Sequence, residues 1–211
     1  MGESRYWERV DAVAAVWASW AATGSALDAA GWATPSRCVG WDVAALFAHV
    51  AMFPHAVLHA PAPPADPGTP ITAAAVLAGF NEPGGVAHER AGQVAEQAVA
   101  GARDTPVDAL VAVFADTGRR ALEELRGHPF DEPVPWPAAA AVTTWGEAVR
   151  LVLLESVVHL YDVLDALGRA PEIPGDGPRE AAHLLAEVAG PARFVEAATR
   201  RSDAEVLPVL R

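Results

Sequence analysis

The chain of 211 residues contains no lysine; all fifteen of its basic residues are arginine. A lysine Schiff base or lysine general base is therefore excluded from its chemistry. Its single cysteine, Cys38, rules out an intramolecular disulfide and fits a reducing compartment. Positive charge is outweighed, with a net charge of −12 and a pI near 4.9. That balance argues against a nucleic-acid backbone or an anionic membrane surface as partner. No apolar run reaches the roughly 18 to 20 residues needed to span a bilayer. The longest one, LVLLESVVHLYDVL, is interrupted by Glu155, His159 and Asp162. The charged start MGESRYWERVDAV lacks the apolar stretch of a secretion signal, so a cytoplasmic location is expected. There is no P-loop, G-x-G-x-x-G, G-x-S-x-G or HExxH pattern, and no internal repeat. Alternating β-branched runs are also missing, which points away from β architecture.

What is abundant is alanine, and 52% of the residues are apolar, enough to bury a sizeable core. The heavy use of Ala, Arg, Gly and Pro, all with GC-rich codons, reads as a GC-rich bacterial genome. Trp7, Val10, Ala14, Trp17 and Ala21 recur at helical spacing and predict a first helix over 5–22, closed by Gly24. Asp42 stands where a helix N-cap is wanted, ahead of Val43, Leu46, His49, Val50 and Phe53; Pro54 should kink or end that helix. PAPPADPGTP reads as a loop, and helical pattern resumes at ITAAAVLAGF. It breaks at Pro83-Gly84-Gly85 and continues over 86–102. Thr105 as N-cap and Pro106 at the first helical position predict a helix to about Arg126. HPFDEPVPWPAAAAV reads as a second Pro-rich loop. Thr144 then caps a helix that runs to Leu167 and stops at Gly168, and a last helical region spans 178–201 with a break at Gly190-Pro191. The expectation is an all-α four-helix bundle with extra short helices. It forms a single domain over 1–211, with a core of about 5–168 and a helical extension over 169–211.

Glu155 and His159 are four apart on the most apolar of these helices, so their side chains point the same way. Asp162 follows on nearly the same face. Charged groups among Leu151, Val152, Leu154 and Val158 are costly to bury unless paired or metal-bound. His49 lies on the inward face of a different helix, with Leu46 and Phe53. Two imidazoles and one carboxylate, with a fourth position open, is the donor set of a catalytic zinc; Ni, Co or Fe also suit it. Each signal alone is weak, since Glu–His pairs are common on exposed helices and a lone His is usually a hydrogen-bonded core residue.

Trp32, Pro35 and Gly40-Trp41-Asp42, followed by Leu46 and His49, resemble one motif of the mycothiol-dependent maleylpyruvate isomerase-like family of the DinB/YfiT-like superfamily. Glu155, His159 and Asp162 resemble its second motif, E-x-x-x-H-x-x-D. The resemblance spans roughly 7–167. It implies a DinB/YfiT-like four-helix bundle that binds a divalent metal through His49, Glu155 and His159 at one end. It also implies mycothiol as a cofactor and a homodimer. Asp162 is expected to orient His159 from behind. Ser36 and Arg37 stand where the family has Thr and Pro. About 40 residues follow Gly168-Arg169, too few for the added domain of the isomerase itself, so the shorter branch of the family is expected.

Cys38 is expected in the core rather than at the site. His55 and His59 are expected at the rim, His55 being a candidate proton shuttle. His88, His128 and His183 read as surface, and Trp136 and Trp145 as core or helix-start residues. The function that follows is a metal-dependent, thiol-using isomerase or S-transferase acting on a small electrophile. The alternatives are a thiol-independent metal hydrolase or lyase of a biosynthetic pathway, and a non-catalytic ligand-binding or resistance protein.

Overall fold

Trp17 and Trp20, one turn apart on the first helix, both reach across to Ser156 on the longest apolar helix, and the rest of the architecture is arranged around that crossing. The computed structural model describes residues 2–82 and 85–201, with 86–88 as backbone only. The fold is all-α apart from one small hairpin. The helices are α1 (Glu3–Ser25), α2 (Ala29–Trp32), α3 (Val43–Val50), α4 (Met52–Leu58), α5 (Ala73–Asn81) and α6 (Val86–Asp104). They continue with α7 (Val107–Ala112), α8 (Gly118–Gly127), α9 (Trp145–Ala166), α10 (Gly177–Ala189) and α11 (Pro191–Ala198). Helix α9 is central: α1, α3, α5 and α10 all pack on it, while α8 packs on α1 and α4, and α6 packs on α3. Among the described residues, no helix is long and apolar enough to cross a membrane.

The local stop and start signals mostly operate as the sequence suggests. Asp42 accepts the Ala45 N–H at 2.8 Å and caps α3, and Thr144 accepts the Glu147 N–H to cap α9. Gly168, at φ +63°, ends α9, with Arg169 N donating to Leu164 O. The chain breaks between α3 and α4 just before Pro54, and between α10 and α11 at Gly190. Of the expected interruption between α5 and α6, Pro83 and Gly84 lie outside the described residues.

Four expectations are corrected. Gly24 does not close α1 but lies within it; a Cβ there would come 2.7 Å from Val111 and 2.8 Å from Phe47, so the glycine serves close helix packing. Helix α7 starts at Val107 rather than Pro106, because Thr105 N still bonds back to Gly101 O at the end of α6. The expected continuous helix to Arg126 is interrupted by a π-helical turn, Val113–Thr117, beside which Gly118 lets Trp17 approach. The second Pro-rich segment is not all loop. It forms an antiparallel hairpin of β1 (Pro133–Trp136) and β2 (Ala141–Thr144), turned through Ala140 at φ +49°. The hairpin is also tied to the segment before α5: Ile71 N donates to Val142 O, and Thr143 Oγ1 donates to Ile71 O at 2.7 Å.

Most polar groups inside the bundle are matched; among the described residues, Arg150 Nε is buried without a hydrogen-bond partner. Trp17 Nε1 donates to Ser156 Oγ at 3.1 Å and Trp20 Nε1 to Ser156 O at 2.9 Å. Tyr6 Oη donates to Leu125 O at 2.6 Å, joining α1 to α8. Arg9, 4% exposed, bonds Glu180 at 2.7 Å and anchors α10. Arg150 bridges Glu147 and Glu187 from α9, and Glu147 also accepts the Ala73 N–H at the start of α5.

Ser156→Ala should therefore leave the buried Trp17 indole N–H without a partner and cost about 1–3 kcal/mol. Urea denaturation measures it; a loss of no more than about 0.5 kcal/mol, the usual size for an exposed position, would contradict the role given to this residue.

Candidate metal centre

Three side chains from two helices converge where α3 crosses α9. His49 is in the last turn of α3, whose start is set by the Asp42 cap. Glu155 and His159 lie one turn apart in the middle of α9, immediately around the serine pinned by the two indoles. Their donor atoms all lie within 4.8 Å of one another. His49 Nε2 is 3.7 Å from Glu155 Oε2, and His159 Nε2 is 3.5 Å from the same oxygen. The two imidazole rings stand nearly perpendicular, at 88°, with centroids 4.9 Å apart.

Two arrangements of such a cluster, hydrogen-bonded and metal-bound, have characteristic spacings. A hydrogen bond from an imidazole N–H to a carboxylate is best below about 3.2 Å, and both contacts exceed that. Ligands of one tetrahedral zinc at about 2.0 Å lie about 3.3 Å apart. The observed spacing, with a carboxylate oxygen shared between two ring nitrogens, is close to that geometry. The donor chemistry fits a divalent cation as well. Burial differs among the three: the histidine side chains are 12% and 16% exposed, whereas Glu155 keeps 34%. The cluster is open to solvent on the glutamate side, where a further ligand can enter.

Asp162, one turn beyond His159 and 4% exposed, lies on the far side of the imidazole. Its Oδ2 is 2.8 Å from His159 Nδ1. A carboxylate only accepts, so Nδ1 carries the proton and Nε2 faces the Glu155 side. Burial opposes the Asp162 charge, but the hydrogen bonds from His159, Arg37 and Cys38 outweigh it and hold the carboxyl below its ordinary range. Burial likewise works against a His159 cation, yet its bonds to Asp162, Cys38 and Glu155 hold the imidazolium up to about 11. Glu155 is held down at about 2: burial raises it, and its interactions with His159 and His49 lower it by more.

Several residues stand elsewhere than expected. Cys38 is not simply a core thiol: it is half-buried and its Sγ lies 3.3 Å from Asp162 Oδ2, because the loop before α3 folds back over α9. Arg37 accompanies it, 2.6 Å from Asp162 Oδ1. Trp41 packs against both site histidines, with centroids 5.0 Å from His49 and 5.8 Å from His159. In the sequence Trp41 stood beside the Asp42 cap and within the first motif, and Arg37 appeared only as a departure from that motif. His55 and His59 are exposed and stack on each other at 6.5 Å, beyond the break that precedes α4. His128 is not a free surface residue but half-buried, stacked 4.5 Å above Trp145, between Glu132 at 2.7 Å and Glu124 at 3.2 Å. Trp145 is buried at the start of α9 and Trp136 packs against the core, as expected. His183 is at the surface beside Glu180; the side chain of His88 lies outside the described residues.

The family described as the mycothiol maleylpyruvate isomerase N-terminal domain matches residues 13–164, which include both motifs and all three converging side chains. No curated protein and no solved structure matches the chain.

The charge state of the cluster predicts how stability varies with pH after chelation. The folded-state value of His159 is raised from 6.5 to about 11, so its contribution is full below pH 6.5 and declines as pH rises toward 11. The value of Glu155 is lowered from 4.5 to about 2, so its contribution is full above pH 4.5 and lost as pH falls toward 2. Chelated protein should melt highest between pH 4.5 and 6.5, and His159→Gln should flatten the alkaline side. A melting temperature of chelated wild type that does not fall between pH 6.5 and about 9 would contradict this charge assignment.

Proposed function

The chain belongs to the mycothiol maleylpyruvate isomerase N-terminal domain family, and from that membership we propose that it is a metal-dependent enzyme using a low-molecular-weight thiol, mycothiol, on a small electrophilic substrate. The observation that carries the reading is the convergence of two imidazoles and one carboxylate at ligand spacing, with solvent access on one side.

In this reading His49, Glu155 and His159 hold the ion, with zinc the first choice and nickel, cobalt or iron compatible with two nitrogen donors and one oxygen donor. A divalent cation bound there supplies Lewis acidity and lowers the pKa of a coordinated thiol, so that a thiolate is available at neutral pH. The residues of the chain do the rest. Glu155 offsets part of the cation's charge and leaves the outer side of the cluster accessible. Asp162 keeps the His159 proton on Nδ1, so that Nε2 is the donor. Trp41 covers both histidine rings and keeps bulk water from their faces. The Nε2 proton of His159 would compete with the ion, so metal uptake should strengthen as pH rises toward about 11. The reaction is thiol addition to the electrophile, followed either by elimination after isomerisation or by retention of the new C–S bond as S-transfer. The surroundings are those of a protein with a net charge of −12 and no lysine, so a covalent amine mechanism does not compete.

Elemental analysis of the purified protein should show about one divalent metal per chain, lost in His159→Ala. Equal metal in both would overturn the ligand assignment. Turnover of an electrophile should require both mycothiol and metal. Undiminished turnover without thiol or after chelation would overturn the thiol mechanism and favour direct metal hydrolysis; stoichiometric binding without product would favour a binding protein.

A further inference from the structure

Arg37 and Cys38, adjacent in the loop between α2 and α3, close on one carboxylate that follows them by 125 and 124 residues. Arg37 Nε lies 2.6 Å from Asp162 Oδ1, and Cys38 Sγ 3.3 Å from Oδ2. Oδ2 also meets His159 Nδ1 at 2.8 Å. Both oxygens of a buried carboxylate are thus engaged, one from the loop and the other from the loop and α9 together. The loop that presents the two donors is itself braced. Ser36 N donates to Trp41 O and Trp41 N to Cys38 O, both at 2.9 Å, and Ser36 Oγ accepts the Cys38 N–H at 3.1 Å. Gly40 turns the chain at φ +82°. Trp41, which ends the loop, is the residue that packs on both site histidines.

We infer that the loop 36–41 is a positioning device for the metal centre. Arg37 and Cys38 fix the plane of the Asp162 carboxylate, and that plane fixes the rotation and the protonated nitrogen of His159. This deepens the metal reading above and rests on it.

The physical case is one of degrees of freedom. A carboxylate bonded through one oxygen rotates about its Cβ–Cγ bond and holds an imidazole loosely. A carboxylate held at both oxygens does not, and the histidine it orients is preorganised for its ion. An exposed Arg–Asp pair would contribute little. Here only the arginine is exposed, at 55%, while the aspartate side chain keeps 6%. Loss of Arg37 therefore leaves a buried carboxylate with one fewer donor.

Cys38, His159 and Asp162 also lie within 4.8 Å of one another and form a second donor triad. The Arg37 guanidinium opposes a second cation at that place, and His159 Nδ1 is already committed to Asp162. The triad is thus part of the clamp and not a second metal site.

The test is Co(II) titration of chelated wild type, Arg37→Ala, Cys38→Ser, Cys38→Ala and His159→Ala, followed by visible absorption. Thermal melting of each protein and the exchange rate of the His159 Nδ1 proton in zinc-loaded samples complete the set. Arg37→Ala should bind Co(II) about tenfold more weakly, with faster Nδ1 proton exchange and a melting temperature lowered by the lost Asp162 donor. Cys38→Ala should weaken binding to a lesser degree, and Cys38→Ser, whose hydroxyl still donates to Asp162, should restore it. If His159→Ala loses Co(II) while Arg37→Ala and Cys38→Ala match wild type in affinity and exchange, the clamp is wrong and the metal reading stands. A sulfur-to-cobalt charge-transfer band, absent in Cys38→Ser, would make Cys38 a ligand and also overturn it. Retention of Co(II) by His159→Ala would instead remove the metal reading, and the clamp with it.

Discussion

The hydrogen bonds from Trp17 and Trp20 of α1 to Ser156 of α9 are the constraint on which the centre depends. A helix packed only through apolar side chains can slide and rotate by small amounts at low cost, because dispersion and hydrophobic burial are non-directional. Two buried indole donors aimed at one residue are directional, and leaving either unsatisfied costs more than a small loss of packing. Glu155 and His159 flank that residue on α9. Fixing the rotation of α9 at Ser156 fixes which way the carboxylate and the imidazole project, and therefore whether they meet His49.

The same division of labour runs through the centre. The apolar bundle supplies position, and a few directional polar bonds supply aim. Asp42 starts α3 in register so that His49 falls on its inner face. Asp162 turns His159, and the folded-back loop holds Asp162. Charge accumulates on the polar side of α9, where Glu155 and Asp162 face the two site histidines and Arg37. Without metal these groups neutralise one another as an imidazolium–carboxylate network. This mutual pairing explains how Glu155, His159 and Asp162 persist among the apolar residues of α9 without an unpaired buried charge.

The arrangement bears on specificity as well. A donor set of two nitrogens and one oxygen does not by itself choose among divalent metals, nor between a thiol and water as the further ligand. Those choices belong to the surroundings: the packing of Trp41, the solvent opening beside Glu155, and the loop that carries Arg37 and Cys38.

The sequence by itself determined the helical class, through apolar residues at helical spacing and the caps at Asp42, Thr144 and Gly168. It also singled out His49, Glu155, His159 and Asp162, because charged residues in an apolar periodic pattern stand out locally and helix geometry fixes their relative direction. Gly24 was misread because a glycine near a helix end serves either as a stop or as a packing contact, and only the approach of Val111 and Phe47 distinguishes the two. The hairpin after α8 escaped notice because its prolines signal a loop; its tie to Ile71, a residue distant in sequence, is not legible locally. Cys38 read as a core thiol, and Arg37 as no more than a departure from the motif, for a similar reason: their partner lies more than 120 residues away. Helical periodicity is a local property of the chain and can be read along it. Which polar groups share a buried oxygen is decided only when distant segments are brought together, so the candidate ligands were visible in the sequence and the bonds that aim them were not.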